Sequence, residues 1–483
     1  MKENKFEGKI CKSIKIEKQI DATQKYIFDE CEFFINGLAY FIFNGNYSSI
    51  NKSNCRYLLE LYKKYNLKFY EYIVGDYDIG VWDRKAKKWV IVQGEIASSN
   101  TVYYFMENQI FLFDVILRRL LLKTSMKRNL NWEVADELIS NGYAVGDNTL
   151  IQGIFKLPPT HILVYDTEKG DLRIIHKSKG IHQYPYSETN TKVCYEKYEE
   201  YLNFLESKIK GKSWALCLSS GYDSNYLLHY LRKHLLGEII TLTAGGKKGK
   251  NEIGNVNRIL SIYKRIIHYE YVIDSTILEE LPNIVWQLEG CVYDKGIFLD
   301  YILANKAKEL DINIVIMGEG HDEIHNLEQK RNFLIYDILK KSSIFFGNKD
   351  IEIVRPYLEK SIVQIVCEAS EEARKEKLAF KKYVTRLLPD YIAALLNTCG
   401  GSIDLETVFE NEEILEKYNN IVLNSEIFTQ GKMDYLYQKI GDRKQVILGC
   451  LYVTVFAKLY ISGLYDNQFL ARSTDTNLEN LIL

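Results

Sequence analysis

From Val193 to Met317, short apolar runs alternate with stretches of helical periodicity. The spacing predicts a helix over 194–210 and strands over Trp214–Leu218, Glu238–Thr243, His268–Ile273 and Ile312–Met317. Between the strands it predicts helices over Asn225–Leu236 and Asn251–Tyr263, and a long helical region ending at Leu310. Strands separated by helices pair in parallel, and a parallel sheet needs helices on both faces. The ligand of such a sheet lies outside the carboxyl ends of its strands, so the turns after the strands are where function should sit.

The first of those turns is Ser219-Ser220-Gly221-Tyr222-Asp223-Ser224. Its hydroxyls, with the N–H groups that open the following helix, suit phosphate. A carboxylate beside phosphate is repelled unless a cation joins them, so Asp223 implies Mg²⁺. An ordinary Ser or Asp helix cap is the bland alternative. A second turn weighs against it. The run Ile312–Met317 ends in Gly318-Glu319-Gly320-His321-Asp322-Glu323 on the same edge, where Asp322 can supply a second Mg²⁺ ligand and Glu319 can face the reacting centre.

Two other patterns carry less. GKS at Gly211–Ser213 ends like a Walker loop, but Glu206 stands where that motif has its first glycine, and the triplet precedes a strand. HDEIH at His321–His325 sets two imidazoles one helical turn apart, in the wrong order for a zinc protease and without a clear third ligand.

A chain of 483 residues suggests two domains. No apolar run approaches the roughly 18 residues of a membrane helix, and the start MKENKFEGKICKSIKIEK has no apolar signal segment, so a cytoplasmic protein without a membrane partner is expected. Nine cysteines, from Cys11 to Cys450 and without a CxxC pair, argue against both a disulfide framework and a zinc ribbon. A net charge of −2 gives no general attraction to nucleic acid.

Residues from about 33 to 180 alternate apolar with polar and break at Asn-Gly and Lys-Gly turns, with one helical stretch, NCRYLLELYKKYNLKFYEYI, among them. That predicts an α+β domain of antiparallel sheets. His176–Lys192 is the polar linker, and beyond Phe333 the chain reads as helices.

The pair LSSGYDS (Leu218–Ser224) and GEGHDE (Gly318–Glu323) resembles the LSGGLDS and GEGADE motifs of the asparagine synthetase family of N-type ATP pyrophosphatases. Three further stretches are similar in order: Leu61–Val92 to the family's amidotransferase-like domain, Asn141–Asp166 to its domain junction, and EIVRPYLE (Glu352–Glu359) to its ExRxPFLD element. The resemblance covers nearly the whole chain. It implies an α/β protein with a degenerate, layered amidotransferase-like (Ntn-like) domain over 1–185 and a doubly wound PP-loop synthetase domain over 194–483, helical toward its end. It also implies that Leu218, Ser219, Ser220, Gly221, Asp223 and Ser224, with Gly318, wrap the phosphates of ATP. Ala244, ending the second strand, would touch adenine, Asp223 and Asp322 would hold Mg²⁺, and Glu319, supported by Glu352, would be catalytic.

The departures bear on activity. The family's glutamine-using members begin with a cysteine nucleophile, whereas here Lys2 follows Met1 and Cys11 lies well inside. Gln93–Phe105 lacks the arginine of the glutamine-pocket motif. The family's pyrophosphate lysine falls on Asn397, with Lys381, Lys382 and Arg386 as substitutes and the basic loop Gly245–Gly254 as a further source of lysine. The expected reaction is adenylation of a carboxylate with release of pyrophosphate, then attack by an amine. Loss of the glutaminase is shared with the β-lactam synthetase and lasso-peptide cyclase branch, which implies (macro)lactam formation, a precursor peptide as substrate and a peptidase as partner. The rivals are amidation of a small acid with free ammonia, a tRNA-modifying PP-loop enzyme and an inactive binding homologue. The first differs in its amine, the second needs a basic face and often paired cysteines, and intact Asp223, Glu319 and Asp322 oppose the third.

Overall fold

The structure is a computed structural model that describes residues 7–10, 24–43, 46–94, 101–107, 110–144, 146–177, 195–247, 252–325, 339–396, 403–469, 471, 473–474 and 476–482. Most of the expected linker, 178–192, lies outside these residues, as do Lys2, Cys11 and Asn397.

Strands β1 (Glu7–Ile10), β2 (Gln24–Ile27), β3 (Cys31–Phe43), β4 (Asn46–Ser49), β5 (Ile73–Asp83), β6 (Lys88–Gln93), β7 (Tyr103–Glu107), β8 (Ile110–Asp114), β9 (Ile154–Lys156), β10 (His161–Asp166) and β11 (Asp171–His176) precede the linker. They form two antiparallel sheets, ordered β1-β8-β7-β9 and β11-β10-β6-β5-β3-β2, with β4 on β3. The larger sheet is apolar on both faces. Val90, Val92, Ile162 and Val164 pack toward helix Arg56–Tyr65, while Trp89, Ile91, Leu163 and Tyr165 pack with Phe111 and Phe113 of the smaller sheet. That double burial is why β6 and β10 read as continuous apolar runs rather than the alternation expected for a half-exposed strand.

The smaller sheet joins the two parts of the chain. Tyr103, Phe105 and Leu112 share one core with Leu138 and Ile139 of helix Trp132–Asn141 and with residues from Ala215 to Ile482. Helix Arg443–Phe456 is central to that core. With the turn that continues it to Ile461 it is long and apolar enough to cross a membrane, but 78% of its most apolar window is buried inside the protein. Apolar residues spread around such a helix because other elements surround it.

After the linker, β12 (Trp214–Cys217), β13 (Ile239–Gly246), β14 (Ile266–Ile273), β15 (Ile314–Ile316) and β16 (Glu352–Val354) form a parallel sheet ordered β14-β13-β12-β15-β16. Both faces are covered: Ala215 and Val315 belong to one core, Leu216, Ile314 and Ile316 to another. The chain builds outward from β12 to β14, then returns to place β15 on the other flank of β12. The order therefore reverses between β12 and β15, which makes their carboxyl ends the switch-point crevice. Strand β16 corrects the all-helical reading beyond Phe333. At three residues it has no readable period, and its pairing with β15, Ile314 opposite Glu352, defines it.

Candidate active site

The turn after β12 is braced by its own polar groups. Leu218 N–H donates to Leu242 O, and Thr243 Oγ1 donates to Leu218 O at 2.6 Å, tying the turn to β13. Ser224 Oγ receives Ser219 N–H and donates back to Ser219 O, and Asn225 Nδ2 donates to the carbonyls of Ser219 and Gly221. With the carbonyls occupied this way, the N–H groups opening helix Tyr222–His234 are left to meet an anion. Ser220 departs from the expected role. It is fully buried, and its N–H and Oγ donate to Glu252 at 2.5 and 2.6 Å, so it fastens the turn to helix Glu252–Leu260 and does not line the cavity.

Asp223 and Asp322 meet on one cation. Lys377 Nζ lies 2.6 Å from Asp223 Oδ2 and 2.8 Å from Asp322 Oδ1, although the two aspartates follow different strands. Lys377 is buried and Asp322 exposed. Burial favours the neutral form of Asp223, but Lys377 and His321 outweigh it and hold the carboxyl well below the usual carboxylate range. Burial likewise opposes the charge on Lys377, yet its two aspartates raise its pKa. His321 Nδ1 is 2.6 Å from Asp223 Oδ1 and its Nε2 is 3.3 Å from Tyr198 Oη, while its ring stacks on Tyr357 with centroids 4.0 Å apart. Burial depresses its pKa against the attraction of Asp223. A neutral ring in this position donates from Nδ1 and accepts from Tyr198. The second histidine of HDEIH, His325, is turned toward Arg374 O.

Glu319 is fixed from two sides. Its Oε2 accepts from Arg355 Nε at 3.0 Å and from Ser342 Oγ at 2.9 Å. Glu352 does not join it. It starts β16 at the amino end, bound by Lys208 Nζ at 2.6 Å, whereas Arg355, past the carboxyl end of the same strand, reaches Glu319. The partner of Glu319 is an arginine and not the second glutamate expected. Gly318 and Gly320 show why this turn needs glycine: a Cβ on Gly318 would stand 3.1 Å from Asp223 Cβ, and one on Gly320, whose φ is +91°, would stand 2.5 Å from Leu358. Ala244 lies inside β13, which runs on to Gly246, and not at its end.

Leu218, Ser219, Gly221, Asp223, Ser224, Ala244, Gly318, Glu319 and Asp322 line one cavity of about 920 Å³ at the crevice, together with Lys377 and Lys381. Lys382 and Arg386 are not among its lining residues, and Lys248–Asn251 of the basic loop lie outside the described residues.

Residues 210–326 match the asparagine synthase family, and residues 43–175 match the glutamine amidotransferase domain. The chain resembles the asparagine synthetases. A glutamine-hydrolyzing asparagine synthetase of Zea mays is 23% identical over 44% of this chain and 41% of its own length, and asparagine synthetase 2 of Oryza sativa subsp. japonica is 21% identical over 44% and 40%. The amidase chry2 of Gibberella zeae is 21% identical over 57% of this chain and 43% of its own length. The chain thus matches less than half the length of each of these relatives.

Sequence reasoning missed part of this asparagine synthetase-like site. Lys377 lies 154 residues from Asp223, and a Lys-Glu-Lys stretch reads as solvated surface, so only the fold reveals it as the cation between the aspartates. Asp300, from helix Ile297–Glu309, also faces the cavity while 6% exposed. Burial pushes its carboxyl up to about 8. Lys341 and Arg355 oppose that shift, and Glu319 and Asp294 reinforce it. An unfolded aspartate loses its proton near pH 4, so between about pH 4 and 8 the folded state binds more protons and stability falls as pH rises. Asp300→Asn removes this penalty. Thermal melts from pH 5 to 8 should show a shallower decline for the variant, with a higher midpoint than wild type at pH 8.

Proposed function

We propose that the protein is an ATP-dependent amide-forming ligase: a substrate carboxylate attacks the α-phosphate of ATP, pyrophosphate leaves, and an amine carried by the substrate displaces AMP. The observation that carries this reading is the convergence of Asp223 and Asp322 on one cation at the sheet's switch point, beside a turn built to receive phosphate. Two hard carboxylates that already share a cation fit Mg²⁺ by donor chemistry, and the ion would offset charge on the phosphates when bound. The 218–224 turn positions the polyphosphate, with Ser220 acting from behind through Glu252. Lys377, with Lys381 on the same wall, supplies positive charge for departing pyrophosphate, the task expected of the lysine replaced by Asn397. Glu319, held by Arg355 and Ser342, faces the acyl group and takes a proton from the attacking amine. Carboxylate-dependent exchange of pyrophosphate into ATP tests the first half of the reaction.

The amine is assigned to the substrate because Gln93–Phe105 lacks the arginine of the family's glutamine-pocket motif. Formation of a lactam or macrolactam in the cytoplasm follows as part of this reading. Glutamate release from glutamine by the purified protein is expected to equal a no-enzyme blank; clear turnover would overturn this assignment.

A further inference from the structure

Beyond the phosphate side, the cavity holds a buried group that the reaction as described leaves unused. Asp300 Oδ2 accepts no hydrogen bond from the described residues; the ammonium of Lys341, at 3.8 Å, turns instead to Asp294 at 2.7 Å. The same helix, Lys340–Gly347, carries Ser342, the donor to Glu319, so Asp300 and Glu319 are set around one support. The thiol of Cys217, at the end of β12, is pushed up by burial and by the charges of both carboxylates. An unbonded, buried carboxylate oxygen facing a cavity is costly unless a ligand satisfies it.

We propose that Asp300 is the amine subsite: its Oδ2 binds the protonated primary amine of the substrate and takes the first of the two protons that nitrogen must lose. This rests on the ligase reading. An ammonium has three protons on nitrogen and the secondary amide one, so two acceptors are needed. In its ionised form Asp300 takes one proton and frees the lone pair, so amide formation should gain as pH rises toward about 8. The nitrogen then bonds to the acyl carbon, the bond from that carbon to the AMP oxygen breaks with its electron pair staying on AMP, and Glu319 takes the second proton.

The probe is glycinamide, an α-amine without a carboxylate, compared with N-acetylglycinamide, which lacks the amine, each titrated into protein saturated with Mg-ATP and followed by thermal shift. Glycinamide should raise the midpoint saturably and N-acetylglycinamide should not. Asp300→Asn should keep its ATP-induced shift and bind glycinamide about 10- to 100-fold more weakly. Equal responses to the two compounds in wild type would overturn the proposal, as would unchanged glycinamide affinity in Asp300→Asn. If the variant fails to fold, the wild-type comparison decides alone. Glycinamide selectivity in a protein that releases ADP would defeat the ligase reading while leaving the subsite standing.

Discussion

Asp223→Ala and Asp322→Ala are expected to cripple ATP turnover alike and to affect folding very differently. Each removes one of the two carboxylates proposed to hold Mg²⁺, so turnover should fall on the order of 1,000-fold, matching the several kcal/mol such an ion would supply. Asp223 also keeps Lys377 paired inside the protein, and without it the buried ammonium retains only the exposed Asp322, at a cost of about 3–5 kcal/mol. Loss of Asp322, which is exposed, should cost less, about 1 kcal/mol or under, because Asp223 still pairs the buried ammonium. Urea unfolding separates the two, and equal destabilisation would contradict the arrangement. The folded carboxyl of Asp223 titrates below its unfolded counterpart. Its contribution is therefore complete above about pH 4 and is lost as pH falls below that, so the acid limb of the stability curve should flatten in Asp223→Ala.

Glu319→Gln should split the reaction. The amide keeps the shape and one oxygen for Arg355 and Ser342 but cannot take a proton. Amide formation should fall about 100-fold or more while carboxylate-dependent pyrophosphate exchange survives. Equal loss of both would remove the role given to Glu319 while leaving the assignment of an adenylating reaction standing.

The two turns were legible because each joins an apolar strand to a helix through small and acidic residues, a local pattern with a local cause. What stayed hidden depends on distant pairing. Glu252 meets Ser220 across 32 residues, Arg355 meets Glu319 across 36, and Lys377 comes from a connection whose own composition is unremarkable. Glu352 was misplaced because motif similarity gives an order along the chain but not the end of the strand on which a side chain falls; its register opposite Ile314 puts it on the amino edge. In the sequence Asp300 is an unremarkable aspartate among apolar residues in the first two turns of its helix, and its burial beside Lys341 appears only when helix Lys340–Gly347 packs against helix Ile297–Glu309.

Central to this account is adenylation, and the identity of the nucleotide product tests it most directly. Phosphorus-31 NMR of Mg-ATP turned over by the wild-type protein with its carboxylate substrate should show AMP and pyrophosphate accumulating in equal amounts. Accumulation of ADP and inorganic phosphate would contradict it.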